Sequence, residues 1–115
     1  MNLFEHLFPE KKQNETEVIF DDFSISRKMP DGKIENIKWS ELREIQIITT
    51  DKGTTFDDAF WLLIGESTGC AISNRCIGAN KLLEKMQMLP GFDNNKVIAA
   101  MNATGNNKYI CWKRS

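Results

Sequence analysis

The most apolar stretch of the chain is the run Ala-Phe-Trp-Leu-Leu-Ile-Gly at 59–65, which has charged or polar residues on both sides. A short, continuous apolar run that ends at glycine is typical of a strand buried on both faces, and it is too short to span a membrane. Strands over 44–50 and 70–73 are predicted on either side of it. We therefore expect 59–65 to lie inside a sheet, where the amphipathic elements pack against it.

The first half of the chain alternates between apolar and polar residues, which predicts an antiparallel meander. A strand is expected over 17–28, with a bend at the adjacent carboxylates Asp21 and Asp22. The Met-Pro-Asp-Gly sequence at 29–32 contains the residues that tight turns favour. Residues 33–39 are therefore expected to return beside the first strand as a hairpin.

The returning strand has an irregular apolar pattern. Ile34 is out of phase with Ile37 and Trp39, which indicates a bulge near Asn36. A tight corner rather than a helix is expected over 39–42, before the next strand begins.

Helical spacing replaces the alternation in the last third of the chain. Apolar residues at 82, 83, 86 and 89 predict a helix over 79–88 that ends before Pro90. Asp93 is a suitable cap for a second helix. The side chains that this second helix is expected to bury are Val97, Ile98 and Met101.

The chain then returns to strand over 108–113, with Ile110 and Trp112 on one face and Tyr109 and Cys111 on the other. Together these elements predict an α+β fold. We expect a bent antiparallel sheet of six or seven strands, a pleckstrin-homology-like roll or a similar architecture, with two consecutive helices near the C-terminus.

The first residues form a separate amphipathic pattern. A short helix over 3–8, stopped by Pro9, would place its apolar side chains on one face, and a polar linker follows to residue 16. Two interpretations remain open: the helix covers the core, or it contacts a partner. It is too short and too acidic to be a convincing membrane anchor.

Composition places the chain among globular proteins. It has 115 residues, 41% of them hydrophobic, and a formal net charge of −1. The near-neutral charge argues against a general attraction to nucleic acid, which requires a basic surface. The length fits one domain, so we expect residues 1–115 to form a single domain, with residues 1–16 preceding a core over 17–115.

The cysteines and the N-terminus favour a cytoplasmic protein. Cys70, Cys76 and Cys111 are odd in number and form no Cys-x-x-Cys pair, which favours reduced thiols over a disulfide framework. The N-terminus lacks the basic and long apolar segments of a signal peptide, and no apolar run approaches the ~20 residues of a spanning helix.

The residue types that most catalytic and metal sites require are sparse. His6 is the only histidine, so a Cys–His nucleophile and a zinc site are both disfavoured. The chain contains no glycine-rich phosphate loop and no metalloprotease or hydrolase motif. We therefore expect a protein that is not an enzyme and that holds neither a cofactor nor a metal.

Two acidic pairs flanked by aromatic residues are the candidate binding features. The pair at 21–22 lies between Phe20 and Phe23, and the pair at 57–58 lies between Phe56 and Phe60. Such charges can simply end a strand, or they can surround aromatic anchors that dock onto a basic protein partner. The candidate partner-binding residues are Asp21, Asp22, Phe56, Asp57, Asp58 and Glu66, and Glu41 and Glu44 would extend the same face.

The three tryptophans are expected to be core residues rather than anchors. Trp39, Trp61 and Trp112 each lie within a predicted strand or at its end, where large aromatic side chains most often pack inward.

From about residue 31 to residue 114, the chain resembles a family of small bacterial proteins that includes immunity proteins of contact-dependent growth inhibition. The resemblance is carried by DGKI at 31–34, IKWSEL at 37–42, DAFWLL at 58–63, LPGFDN at 89–94, VIAAM at 97–101 and CWKR at 111–114. It implies a protein that binds a cognate secreted toxin, most simply a basic nuclease, and occludes its active site. The shared strings are a fold signature, so the resemblance assigns no binding residues.

Two other functions fit the same pattern of elements. A pleckstrin-homology-like adaptor would bind a peptide or a lipid, although the lipid version requires a basic pocket that the sequence does not show. A nuclease toxin is disfavoured by the single histidine and the slightly acidic balance. The expected partner is thus a protein, with no direct nucleic-acid or membrane contact, and the sequence does not indicate an oligomeric state.

Overall fold

The structure is a computed structural model that describes residues 16–50 and 58–115. The helix predicted over 3–8, its linker, and the candidate residues Phe56 and Asp57 lie outside the described residues. The described part has seven strands and two helices. They are β1 (Glu17–Phe20), β2 (Ser24–Lys28), β3 (Ile34–Lys38), β4 (Leu42–Thr49), β5 (Phe60–Gly65), β6 (Gly69–Ser73), α1 (Ala79–Met86), α2 (Asn94–Met101) and β7 (Asn107–Lys113).

The predicted α+β class, with two helices near the C-terminus, is confirmed. The strands form two antiparallel sheets that are not closed, rather than one bent sheet. The single strand predicted over 17–28 is also wrong, because the chain reverses at Asp21 and Asp22 and its two halves, β1 and β2, pair antiparallel with each other. The first sheet has the order β1-β2-β3, and the second has the order β6-β5-β4-β7. A short 3-10 turn over Trp39–Glu41 forms the predicted corner and joins the two sheets.

Both sheets and both helices contribute to one cluster of buried apolar side chains. Its fully buried members come from β2 and β3, from β4, β5, β6 and β7, and from α1; examples are Ile25, Ile37, Ile45, Leu63, Ile72 and Leu82. Since the three-stranded sheet contributes Ile25 and Ile37 to the same cluster as the four-stranded sheet, burial of apolar surface holds the two sheets together.

Arg27 of β2 adds a polar connection between the sheets. Its Nη2 atom donates to Glu35 Oε1 on β3 at 2.6 Å, and its Nη1 atom donates to the carbonyl oxygen of Ala71 on β6. The buried Nε atom of Arg27 has no partner among the described residues. Arg27 therefore connects β6 of the second sheet to β2 and β3 of the first.

The prediction that β5 is buried on both faces is wrong. Trp61 and Leu63 are buried, but Phe60 on the opposite face is 41% exposed, and Leu62 and Ile64 are only partly buried. Successive side chains of a strand point to opposite faces, and the shared core lies against only one face of this sheet. A continuous apolar sequence therefore does not require two covered faces.

The expected bulge near Asn36 is also absent from the described hairpin. Pairing between β2 and β3 runs without interruption from Ser24 opposite Lys38 to Lys28 opposite Ile34. Ile34 departs from the apolar alternation of Ile37 and Trp39 because its apolar side chain is exposed, with 63% of its surface accessible.

A register shift occurs instead in β4. Against β7 the shift lies between Ile45 and Gln46. Cys111 and Trp112 are both buried although they are adjacent. The predicted strict alternation of these two residues is therefore wrong, and the local irregularity of the ladder explains why.

The helices follow their predicted boundaries closely. The carboxylate of Asp93 accepts the backbone N–H groups of Asn95 and Lys96 at 3.0 and 3.4 Å, which confirms the predicted cap of α2. The helix buries Val97 and Ala100, whereas Ile98 and Met101 are exposed, so the predicted burial of those two residues is wrong.

The segment before α1 lies beside the edge of β1 that does not pair with β2. Val18 donates its backbone N–H to Ile77 O at 2.9 Å, and Ile77 donates to Thr16 O at 3.0 Å. Gly78 follows with a φ of +91°, and a Cβ atom added there would lie 2.4 Å from the carbonyl oxygen of Val18. Both its backbone conformation and the available space therefore require glycine.

The change Gly78→Ala is expected to lower the free energy of unfolding by about 3 kcal/mol or more, because a strained φ and a steric clash act together. Gly91→Ala is the matched control, since Gly91 has a φ of +85° and nothing within 4 Å of the added atom. The control is expected to lose only about 1 kcal/mol. Urea denaturation measures both, and equal losses would contradict the proposed close approach at Val18.

Candidate functional site

Asp21 forms a hydrogen-bonded turn between β1 and β2. Its Oδ1 atom accepts the backbone N–H groups of Phe23 and Ser24, both at 2.8 Å, and its own N–H donates to Ser24 O at 3.0 Å. These backbone donors stabilise the carboxylate and lower the pKa of Asp21 below its ordinary value. A short carboxylate side chain that bonds the backbone two and three residues ahead is a standard turn former.

The turn presents Phe23 to solvent. The side chain of Phe23 is 79% exposed, and Phe23 takes no part in the core. Its carbonyl oxygen accepts the N–H of Trp39 at 3.0 Å, and Trp39 Nε1 donates to Asp21 O at 2.8 Å. Phe23 is therefore an exposed aromatic side chain on a backbone that is fixed from both sides.

Asp22 and the end of α1 lie beside this turn. Lys85 Nζ forms an ion pair with Asp22 Oδ1 at 2.9 Å. Three residues further on, Met88 is 77% exposed and donates its N–H to Lys85 O at 3.1 Å. We call Asp21, Asp22, Phe23, Trp39, Lys85 and Met88 the corner surface.

Two concave regions flank Trp39 within this surface. One is a cavity of about 350 Å³ that includes Phe23 and Lys38 in its lining, and the other is a cavity of about 510 Å³ that includes Leu89 and Trp112. Asp22 and Trp39 line both. An exposed aromatic side chain beside shallow concave regions and charged neighbours has the general anatomy of a protein-binding surface.

Arg114 fixes the position of the corner. Its Nε atom donates to Leu42 O and its Nη2 atom donates to Trp39 O, both at 2.8 Å. Its guanidinium carbon also lies 5.2 Å from the ring centroid of Trp112. Arg114, the residue after β7, therefore holds the turn that carries Trp39, a role that the sequence does not reveal because the partners are more than seventy residues away.

The other predicted carboxylates that the structure describes are also engaged within the chain. Asp58 Oδ1 accepts from Arg75 Nη2 at 2.8 Å and from Arg75 Nε at 3.1 Å. Glu66 forms an ion pair with Arg43. Glu41, which was expected to extend the acidic face, accepts the backbone N–H of Lys38 at 3.0 Å and so closes the corner.

The structure does not bring these carboxylates together as one rim. Asp58 precedes β5 and Glu66 follows it, and β5 has six residues. At about 3.3 Å per residue, the two carboxylates lie at opposite ends of a strand roughly 17 Å long. Glu66 lies at the corner end, because Leu42 at the start of β4 pairs with Gly65.

Sequence reasoning found only part of the corner surface. It selected Asp21 and Asp22, which the structure places at the turn. It named Phe23 only as an aromatic residue that flanks the acidic pair and did not include it among the candidate binding residues, and it did not select Met88. Trp61 and Trp112 are buried as predicted, and Trp39 is partly buried against the core.

The thiols lie inside the protein. Cys70, Cys76 and Cys111 are all buried and unpaired, and burial raises the pKa of Cys70 and of Cys111 to about 11. Within residues 16–50 and 58–115, no group of three or more His, Cys, Asp or Glu side chains is arranged to hold a metal ion.

None of the described helices combines the length and the apolar character that crossing a membrane requires. Comparisons with protein-family models, with curated proteins and with solved structures give no match for this chain. The family resemblance therefore remains a prediction from the sequence.

The buried thiols predict a loss of stability at high pH. A group whose pKa is raised on folding stabilises the folded state below its unfolded pKa, here 9.0, and loses that contribution as the pH rises to about 11. The free energy of unfolding is therefore expected to fall across this range. In the double variant Cys70→Ala and Cys111→Ala the fall should be shallower when urea denaturation is repeated at each pH. Parallel pH profiles for the two proteins would contradict neutral buried thiols.

Proposed function

We propose that this chain is an immunity-type protein that binds a cognate toxin domain through the corner surface and thereby blocks the active site of the toxin. The observation that supports the proposal best is the exposure of Phe23 on a turn whose backbone is already hydrogen-bonded. The sequence resemblance supplies the biological context.

Phe23 has the properties of a binding anchor. Burying a phenylalanine side chain stabilises a complex by about 1.5–3 kcal/mol, and aromatic residues are enriched in interfaces. Because the turn already fixes its backbone, little chain entropy is lost on binding. An anchor that is pre-organised in this way suits an inhibitor that must dissociate slowly.

The charges of the corner surface act as a rim rather than as the main attraction. Asp22 is paired with Lys85, and Asp21 is held by backbone donors. These partners reduce the negative field that a basic toxin would meet, so the anchor carries more of the proposed affinity than the carboxylates do. The paired charges then set orientation and specificity.

Inhibition by coverage requires tight contact and no chemistry on the side of the inhibitor. An immunity protein must remain bound for longer than a toxin needs to act, so the dissociation constant is expected to be nanomolar or below.

The direct test uses the gene immediately upstream of the one that encodes this chain. The proposal expects the product of that gene to end in a nuclease-sized toxin domain, and this C-terminal domain is expressed alone and together with this chain. Growth arrest by the domain alone and recovery on co-expression are the expected results. Growth arrest that this chain does not relieve would contradict the proposal.

The change Phe23→Ala is expected to raise the dissociation constant for that toxin domain at least tenfold, as loss of a central aromatic anchor commonly does. The melting temperature should stay nearly constant, because the side chain is outside the core. Isothermal titration calorimetry and thermal denaturation measure the two quantities.

Ile34→Ala is the matched control, since Ile34 is also an exposed apolar residue of the first sheet. It lies at the opposite end of the hairpin, opposite Lys28, whereas Phe23 precedes the pair of Ser24 and Lys38. The control should bind like the unaltered protein. Equal weakening by both changes would remove the corner surface as the interface.

A further inference from the structure

A groove lies between the free edge of β1 and helix α1. Gly78, just before the helix, lies so close to β1 that an added Cβ atom would be 2.4 Å from the carbonyl oxygen of Val18, and Lys85 near the end of the helix forms an ion pair with Asp22. The helix therefore runs alongside the strand. The space between them is a cavity of about 790 Å³ lined by Glu17–Phe20 and by residues 74–81.

The hydrogen bonds of β1 show which backbone groups point into this groove. Val18 donates away from β2, to Ile77, whereas Asp21 donates towards β2, to Ser24 O. The backbone N–H and C=O groups alternate in direction along a strand, so those of the even-numbered residues of β1 point away from β2. The N–H and C=O groups of Phe20 therefore point towards the groove, and neither has a hydrogen-bond partner within the described residues.

We propose that this groove binds an extended peptide segment of a partner protein, which pairs with β1 at Phe20. One residue that presents both its N–H and its C=O at a sheet edge offers the two bonds that an added strand makes. Ile77 already uses this edge in the same way at Thr16 and Val18, but the chain turns away at Gly78. Among residues 16–50 and 58–115, none pairs with β1 at Phe20 on this side.

The dimensions and the lining of the groove fit such a segment. The four residues of β1 that line the groove span roughly 10 Å, which corresponds to about three residues of extended chain. Ile19 and Ile77 are both about half exposed at the groove and offer apolar contacts to one side chain of the segment. The inference does not require the partner to be a toxin.

Amide hydrogen exchange of the full chain, followed by NMR, tests whether the edge is free. The amides of Val18, Ile19 and Asp21 should exchange slowly, because each is hydrogen-bonded. The amide of Phe20 should exchange fast. Slow exchange at Phe20 in the free monomer would mean that the chain itself covers the edge, and protection that grows with protein concentration would mean that a second copy does. Either result would overturn the proposal.

The binding test uses a phage library of random twelve-residue peptides, selected on the full chain, and synthetic copies of the enriched sequences. These peptides are expected to bind with micromolar dissociation constants and to slow exchange at the Phe20 amide. Asn80→Trp fills the groove from the first turn of α1 and should weaken binding at least tenfold. Asn95→Trp, an equivalent change in the first turn of α2, should leave binding unchanged.

The proposal fails if no peptide is enriched, or if the enriched peptides bind Asn80→Trp as tightly as the unaltered protein. The outcome is separate from that of the proposed function, because Phe23→Ala alters the corner surface while Asn80→Trp alters the groove.

Discussion

The turn at Asp21 is the constraint on which the organisation of the corner depends. One carboxylate oxygen holds the N–H groups of Phe23 and Ser24, and the carbonyl of the same residue accepts Trp39 Nε1. The turn thereby connects β1, β2 and the 3-10 corner. The neighbouring Asp22 also connects α1 to the turn through its ion pair with Lys85. Because these bonds lower the pKa of Asp21, its contribution to stability is present above its ordinary pKa of 3.8 and is lost as the pH falls through the lower folded value.

The packing of the two sheets explains why many charged side chains contribute to the fold. Two separate sheets share one apolar core, and polar side chains form hydrogen bonds where the sheets meet. Arg27 reaches from β2 to Glu35 and to the backbone of β6, and Arg114 reaches from the last residues to the corner. Ion pairs at exposed positions contribute little stability individually, so their main effect is to fix positions. Two features of the described surface are then informative: the exposed aromatic side chain of Phe23, and the backbone N–H and C=O groups of Phe20, which have no hydrogen-bond partner among the described residues.

Local chemistry made much of the fold predictable, while long-range contacts did not. The turn at 29–32, the cap at Asp93 and the two consecutive helices follow from neighbouring residues, and the structure confirms them. The reversal of the chain at Asp21, which divides the strand predicted over 17–28 into two paired strands, does not follow from them. The burial of only one face of β5 depends on where the core forms, which the apolar sequence of that strand does not encode. The register shift opposite β7 likewise needs the partner strand. For the candidate site, Asp21 and Asp22 could be selected from their aromatic neighbours, but the pairing of Asp22 with Lys85 joins residues that are 63 positions apart. Nothing in the sequence distinguishes an exposed Phe23 from a buried one.

Recognition is therefore proposed to depend on the exposed side chain of Phe23 rather than on the carboxylates. The most direct measurement is the ¹⁹F NMR spectrum of the protein carrying 4-fluorophenylalanine at position 23, recorded during titration with the proposed toxin domain. A fixed, solvent-exposed ring should give one resonance, which is replaced by a second resonance at a new position as the slowly dissociating complex forms and the ring is buried. A resonance that stays unchanged while the complex forms would show that Phe23 lies outside the interface, and it would contradict the account.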